Sequence, residues 1–132
     1  MTVAQPYVDV ERVLVAWLGA QLNRRVVTDL PADLEKQVPL VQIRRVGGGD
    51  FRPGLDTAGL DVDVYGPDRA TTVALAEQAR HALRFRLPGT QIGPAVFTRV
   101  DTIEAPSYRP YDASGLRRFG ATYRLTIHIV GD

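Results

Sequence analysis

Two carboxylates stand one residue apart in Asp61-Val62-Asp63. In an extended strand this spacing puts both on one face, about 6.5–7 Å apart. A pair so placed can bind a cation or share general acid–base work. The plainer reading is the polar face of a half-buried strand, ion-paired to arginines of a neighbouring strand or of another subunit. The two histidines, His81 and His128, have no serine or aspartate arranged beside them in a catalytic motif, and they read as surface or boundary residues. Cysteine is absent, which removes disulfides, thiolate metal sites and a thiol nucleophile. Gly47-Gly48-Gly49 leads into Asp50-Phe51-Arg52-Pro53 rather than Gly-Lys-Ser/Thr, so it is not a phosphate-binding loop. The residues thus assign no catalytic group and no metal ligand, and no cofactor is expected.

Binding chemistry is better represented. Phe51 lies in a glycine-rich polar stretch with little core to enter. Ser107-Tyr108-Arg109-Pro110-Tyr111-Asp112 combines tyrosine and arginine, residue types enriched in interface hot spots. Arg117-Arg118 follows soon after. Phe51, Arg52, Tyr108, Arg109, Tyr111, Arg117 and Arg118 are therefore the candidate partner-interface residues. The alternative for Tyr108 or Tyr111 is to fold back and cap the core. The doublets Arg24-Arg25, Arg44-Arg45 and Arg117-Arg118 can also form a basic stripe for nucleic acid. Against that stands a net charge of only +1, from 16 basic and 15 acidic residues. The halves differ mildly: residues 1–66 hold 7 basic and 9 acidic groups, residues 67–132 hold 9 and 6.

These residues need elements to position them. Met1–Tyr7 reads as a short arm. Asp9 is suited to cap a first helix running to about Asn23. Its apolar stripe is Val10, Val13, Leu14, Trp17, Leu18 and Leu22. Val26–Thr28 reads as a short edge strand, Asp29–Pro39 as a connector, and Leu40–Val46 as a strand. A loop is expected from Gly47 to about Ala58. Gly59–Tyr65 alternates cleanly, with Leu60, Val62 and Val64 facing one way and Asp61, Asp63 and Tyr65 the other. Asp68 starts a second helix over about Arg69–Arg86, with Val73, Ala76, Ala79, Leu83 and Leu87 on one face and Arg80 on its flank. A strand at about Ala95–Glu104, a long loop or the tip of a wide hairpin over Ala105–Leu116 and a strand at about Arg118–Val130 complete the chain. In the last, Phe119, Ala121, Tyr123, Leu125, Ile127 and Ile129 alternate with Gly120, Thr122, Arg124, Thr126, His128 and Val130. The order α-β-β-α-β-β implies one α+β domain over residues 1–132. It has a largely antiparallel sheet of four to five strands and two amphipathic helices on one face.

The composition agrees. The 132 residues suffice for one core, and 45% apolar with 23% charged residues is ordinary for a globular protein. No apolar run approaches the ~20 residues of a membrane span, and Met1–Val10 lacks the pattern of a secretory signal.

The phrasing of the chain also resembles a known family. Leu30-Pro31-Ala32-Asp33-Leu34, Pro39-Leu40-Val41-Gln42-Ile43-Arg44-Arg45-Val46-Gly47-Gly48 and Val62-Asp63-Val64-Tyr65-Gly66 before an alanine-rich helix resemble tail terminator proteins of long-tailed actinobacterial phages. So do Pro106, Pro110-Tyr111-Asp112 and Arg117-Arg118-Phe119-Gly120-Ala121-Thr122-Tyr123. The resemblance implies a small non-catalytic α+β subunit of the virion that forms a homo-hexameric ring. Such a ring caps the tail tube protein at the head-proximal end, stops polymerisation and joins the head–tail connector protein. DNA passes through its lumen without sequence-specific binding. A near-neutral subunit fits that role, since each arginine–phosphate contact adds affinity that would slow passage. The other readings are a different connector or completion protein, a small metal-dependent enzyme using Asp61 and Asp63, and a nucleic-acid-binding module.

Overall fold

The computed structural model describes residues 7–111 and 115–130. The helix α1 spans Val10–Leu22. The Asp9 side chain accepts from the Arg12 N–H at its start, and Asn23 closes it in the left-handed conformation at φ 50°. The strand β1 (Val26–Val27) and a short helix α2 (Leu34–Gln37) precede the long hairpin of β2 (Leu40–Arg52) and β3 (Leu55–Gly66). Then come α3 (Arg69–His81), capped by Asp68, a π-helical stretch over Ala82–Arg86, and the strands β4 (Thr90–Ile92), β5 (Ala95–Tyr108) and β6 (Arg117–Ile129).

The six strands form one sheet in the order β1-β2-β3-β6-β5-β4. The pair β1 and β2 is parallel; the other pairs are antiparallel. The α+β class is as the sequence implies, with three corrections. Among the described residues the sheet has six strands and is mixed: β1 is the short edge strand read at Val26–Thr28, it pairs parallel to β2, and the addition is the three-residue β4, too short to leave a period in the sequence. Among the described residues the α-helices number three, counting the single turn α2. And the loop expected at Gly47–Ala58 is largely strand, while Ala105–Leu116, read as a long loop or the tip of a wide hairpin, connects the antiparallel β5 and β6 with strand only as far as Tyr108. The first is the outer half of the β2–β3 hairpin, with register shifts at Arg45/Gly48 and Gly49/Arg52. Gly47 and Gly48 take φ of 73° and 105°, and a Cβ at Gly48 would collide with the Thr57 backbone. These glycines form a bulge against a close partner strand rather than a loop. The second continues as β5 to Tyr108 and only then turns; its residues 112–114 lie outside the described part, as does most of the Met1–Tyr7 arm.

The main core lies between one sheet face and the helices. Val10, Leu14 and Leu18 of α1 and Leu75, Ala76 and Ala79 of α3 are buried there, with Ala82, Leu83 and Leu87 beyond. They meet Val41, Ile43, Leu60, Val62, Val64, Ala121, Leu125 and Ile127. The alternation read for Gly59–Tyr65 and for Arg118–Val130 thus points the apolar set at the helices. Val73, placed on the α3 stripe by its spacing, only rims this core; Leu75 takes the central position. A smaller cluster of Leu34, Leu40, Tyr65 and Leu116 forms under α2, with Tyr111 packed against it.

Tyr123 is buried in the main core, and that burial pushes its phenol from the ordinary 10.0 up to about 12. The folded chain then holds this proton more tightly than the unfolded chain does. Stability is full below the unfolded value and falls as pH rises from about 10 to about 12. Such a shift corresponds to about 3 kcal/mol at most. Tyr123→Phe is expected to flatten this alkaline loss, read as urea midpoints measured across the same interval.

Candidate partner-binding site

The candidate interface residues divide into an exposed set and an anchored set. At the tip of the β2–β3 hairpin, Phe51 is 87% exposed, and the Arg52 guanidinium lies 5.9 Å from its ring centroid. Nothing in the sheet requires an aromatic there. The arm beneath the tip is rooted. Asp56, almost fully buried, takes both Arg45 guanidinium nitrogens at 2.8 and 2.6 Å. That bidentate pair raises the Arg45 pKa. Glu11 of α1 accepts from the Arg45 backbone N–H at 2.9 Å, and the Tyr7 hydroxyl donates to Asp50 at 2.6 Å.

The connection between β5 and β6 is rooted in the same way. Asp63 is 1% exposed. Arg109 donates to its Oδ1 at 2.9 Å, and Arg118 reaches Oδ2 at 3.1 Å and Oδ1 at 3.3 Å. Arg109 also stands 3.6 Å from Glu104, and hydrogen bonding to Asp63 raises the Arg118 pKa. Gly120 makes room for the cluster, since a Cβ there would run into the Asp63 carboxylate and the Arg109 guanidinium. Tyr111 packs edge-on against Tyr65 at 5.2 Å and takes the core-capping role open to it. Burial pushes the Tyr65 phenol up. Tyr108 is 58% exposed, with its ring edge-on to Phe119 at 5.9 Å. Arg117 is exposed. Phe51, Arg52, Tyr108 and Arg117 are thus presented outward, while Arg109, Arg118 and Tyr111 hold the turn in place.

The paired carboxylates are spent on structure. Asp63 bridges two arginines and Asp61 accepts the Thr122 hydroxyl at 2.6 Å. Among the described residues there is no cluster of three potential metal ligands. The arginine doublets do not merge into one stripe either, because Arg45 and Arg118 are committed to Asp56 and Asp63. His81 and His128 are both exposed, as read. Sequence reasoning missed Phe85, which is 77% exposed in the π-helical stretch with its ring 4.9 Å from His81. The signal was available: position 85 falls off the stripe that Leu83 and Leu87 follow.

The model of a family described as phage tail termination protein matches residues 6–101. The chain belongs to that family. It is therefore a structural protein of the phage tail, located in the virion, and not an enzyme. No curated protein matches the chain. Among solved structures, this family member resembles a chain of the virion of a native gene transfer agent particle. That match has 15% identity and a TM-score of 0.60, and covers 86% of this chain and 85% of the other. At that identity the likeness speaks for the fold.

Proposed function

We propose that this chain forms a homo-hexameric ring that caps the phage tail tube at its head-proximal end, stops polymerisation and offers the surface that joins the head–tail connector. The observation that carries the reading is the tail-termination match, which spans the α1, hairpin and α3 region. The fold shared with a component of a virion-like particle supports it.

The physical design is consistent with this role. A ring subunit needs two different self-contacting surfaces and further surfaces for the tube and the connector. The rooted hairpin tip with Phe51 and Arg52, and the exposed Tyr108 and Arg117, are suited to such contacts, because a pre-organised aromatic loses little freedom on binding. The lumen carries DNA without sequence-specific binding, and the near-zero net charge keeps each subunit from gripping it. The test is to add purified protein to polymerising tail tube protein. Growth is expected to stop at a length set by when the protein is added; tubes that lengthen unchanged would contradict the proposal.

A further inference from the structure

The sheet ends in two edges, and each is covered over only part of its length. On β2, β1 pairs with Val41 and Gln42, and the Glu11 carboxylate takes the Arg45 N–H. Beyond it, Val46–Arg52 pairs only with β3 among the described residues. On the opposite edge, β4 pairs with Ala95–Phe97 of β5, and the Arg84 guanidinium donates to the Val100 carbonyl. Beyond it, Asp101–Tyr108 pairs only with β6 among the described residues.

The two uncovered segments share a further property. Among the described residues six large apolar side chains are exposed, and four stand here: Val46 at 45%, Phe51 at 87%, Ile103 at 52% and Tyr108 at 58%. Val46 and Ile103 lie on the same, helix-free face, where they line a groove floored by Gly59 and Thr122. An uncovered strand edge with apolar side chains is a template for another chain, and proteins that avoid such pairing cover the edge. Here Glu11 and Arg84 close the edges up to where these segments begin; within the first, only the Gly47 carbonyl is taken, by Arg45 Nε at 2.9 Å, and the Asp50 side chain, by the Tyr7 hydroxyl at 2.6 Å, among the described residues.

We propose that Val46–Arg52 of one copy pairs edge to edge with Asp101–Tyr108 of the next, and that this contact builds the ring. This inference rests on the ring reading. Three antiparallel steps separate β2 from β5, so the two strands run in opposite directions. Setting β5 of one copy beside β2 of another continues the antiparallel alternation. The contact joins two different surfaces, the heterologous type that closes into rings. Arg52, two residues from Asp50, brings a positive charge toward Asp101 and Glu104, which Arg99 and Arg109 of the same copy also approach at 3.0 and 3.6 Å. Bulges in both strands, with Pro106, confine the paired run to a few residues and fix its register.

The stagger of the two segments is compatible with closure. With Gly49 and Glu104, near the middles of the two segments, set opposite each other, Gly49 stands level with Thr126 through Thr57, whereas Glu104 stands level with Thr122. That is roughly 13 Å along the strands, across four strand spacings of about 19 Å in all. The ratio corresponds to a strand tilt of roughly 35°, at the edge of the range in closed barrels.

The absence of cysteine makes the test clean. Gly49 has open space for a Cβ and Ile103 is half exposed, so Gly49→Cys and Ile103→Cys leave the fold in place. The masses of wild type and both variants are compared first by native mass spectrometry. The two variants are then mixed and treated with a short bis-maleimide. The expected product is a covalent dimer of one variant with the other, with neither variant cross-linking to itself. Variants that assemble as wild type yet give no mixed dimer would overturn the edge contact and leave the ring reading standing. A wild type that stays at its subunit mass of 14.5 kDa at every concentration would overturn the ring reading itself, and this contact with it. In a second arm, Ile103→Asp is expected to shift the assembly to subunit mass with unchanged circular dichroism. Retention of the assembly would count against the contact.

Discussion

Replacing Asp63 with alanine is expected to cost about 3 kcal/mol of folding stability. The reason is what would be left behind. Asp63 is almost fully buried and receives two guanidinium groups, Arg109 and Arg118, from either side of the β5–β6 turn. Removing the carboxylate strands both cations in the space that Gly120 leaves open for the cluster. The figure is at the low end for a broken buried pair, because both arginines keep partial access to water. Asp61→Ala, one residue on the same face away, should cost only about 1 kcal/mol, since it gives up a single hydrogen bond from Thr122. Urea denaturation of both variants makes the comparison. Equal losses would mean that Asp63 is no more than a polar surface residue.

Phe51→Ala is expected to do the opposite: stability within about 0.5 kcal/mol of wild type, and a loss of function. The side chain is 87% exposed, so the fold gives up almost no buried area. In an assembled particle the same ring is the type of residue that becomes a hot spot, where truncation costs about 2 kcal/mol or more. This corresponds to a roughly 30-fold or greater weakening of the contact. Complementing a phage that lacks this gene with the variant should give a comparable fall in infectious titre, with tails of irregular length or tails without heads. A normal titre would remove the hairpin tip from the list of contacts.

The two residues also show what the sequence could convey. Helix caps and stripes are local, so Asp9, Asp68 and the apolar positions of α1 were legible, as was the alternation of β3 and β6. Asp63 was legible as a strand carboxylate with a structural alternative to catalysis. Its partners lie 46 and 55 residues away, and no local pattern names them. The glycine run misled for a related reason. Glycine marks both loops and bulges, and only the presence of β3 beside Gly48 decides between them. Phe51 and Tyr108 were legible as odd residues for their surroundings, because an aromatic without a core to enter stands out in any register. Arg109 and Arg118 look the same as interface arginines until the buried carboxylate between them is seen.

The most direct measurement of the central claim is negative-stain imaging of the purified protein mixed with preformed tail tubes. A ring seated at one end of each tube, and tubes that no longer elongate, is the result this account predicts. Protein spread along the tube walls, or tubes with bare ends that continue to grow, would contradict it.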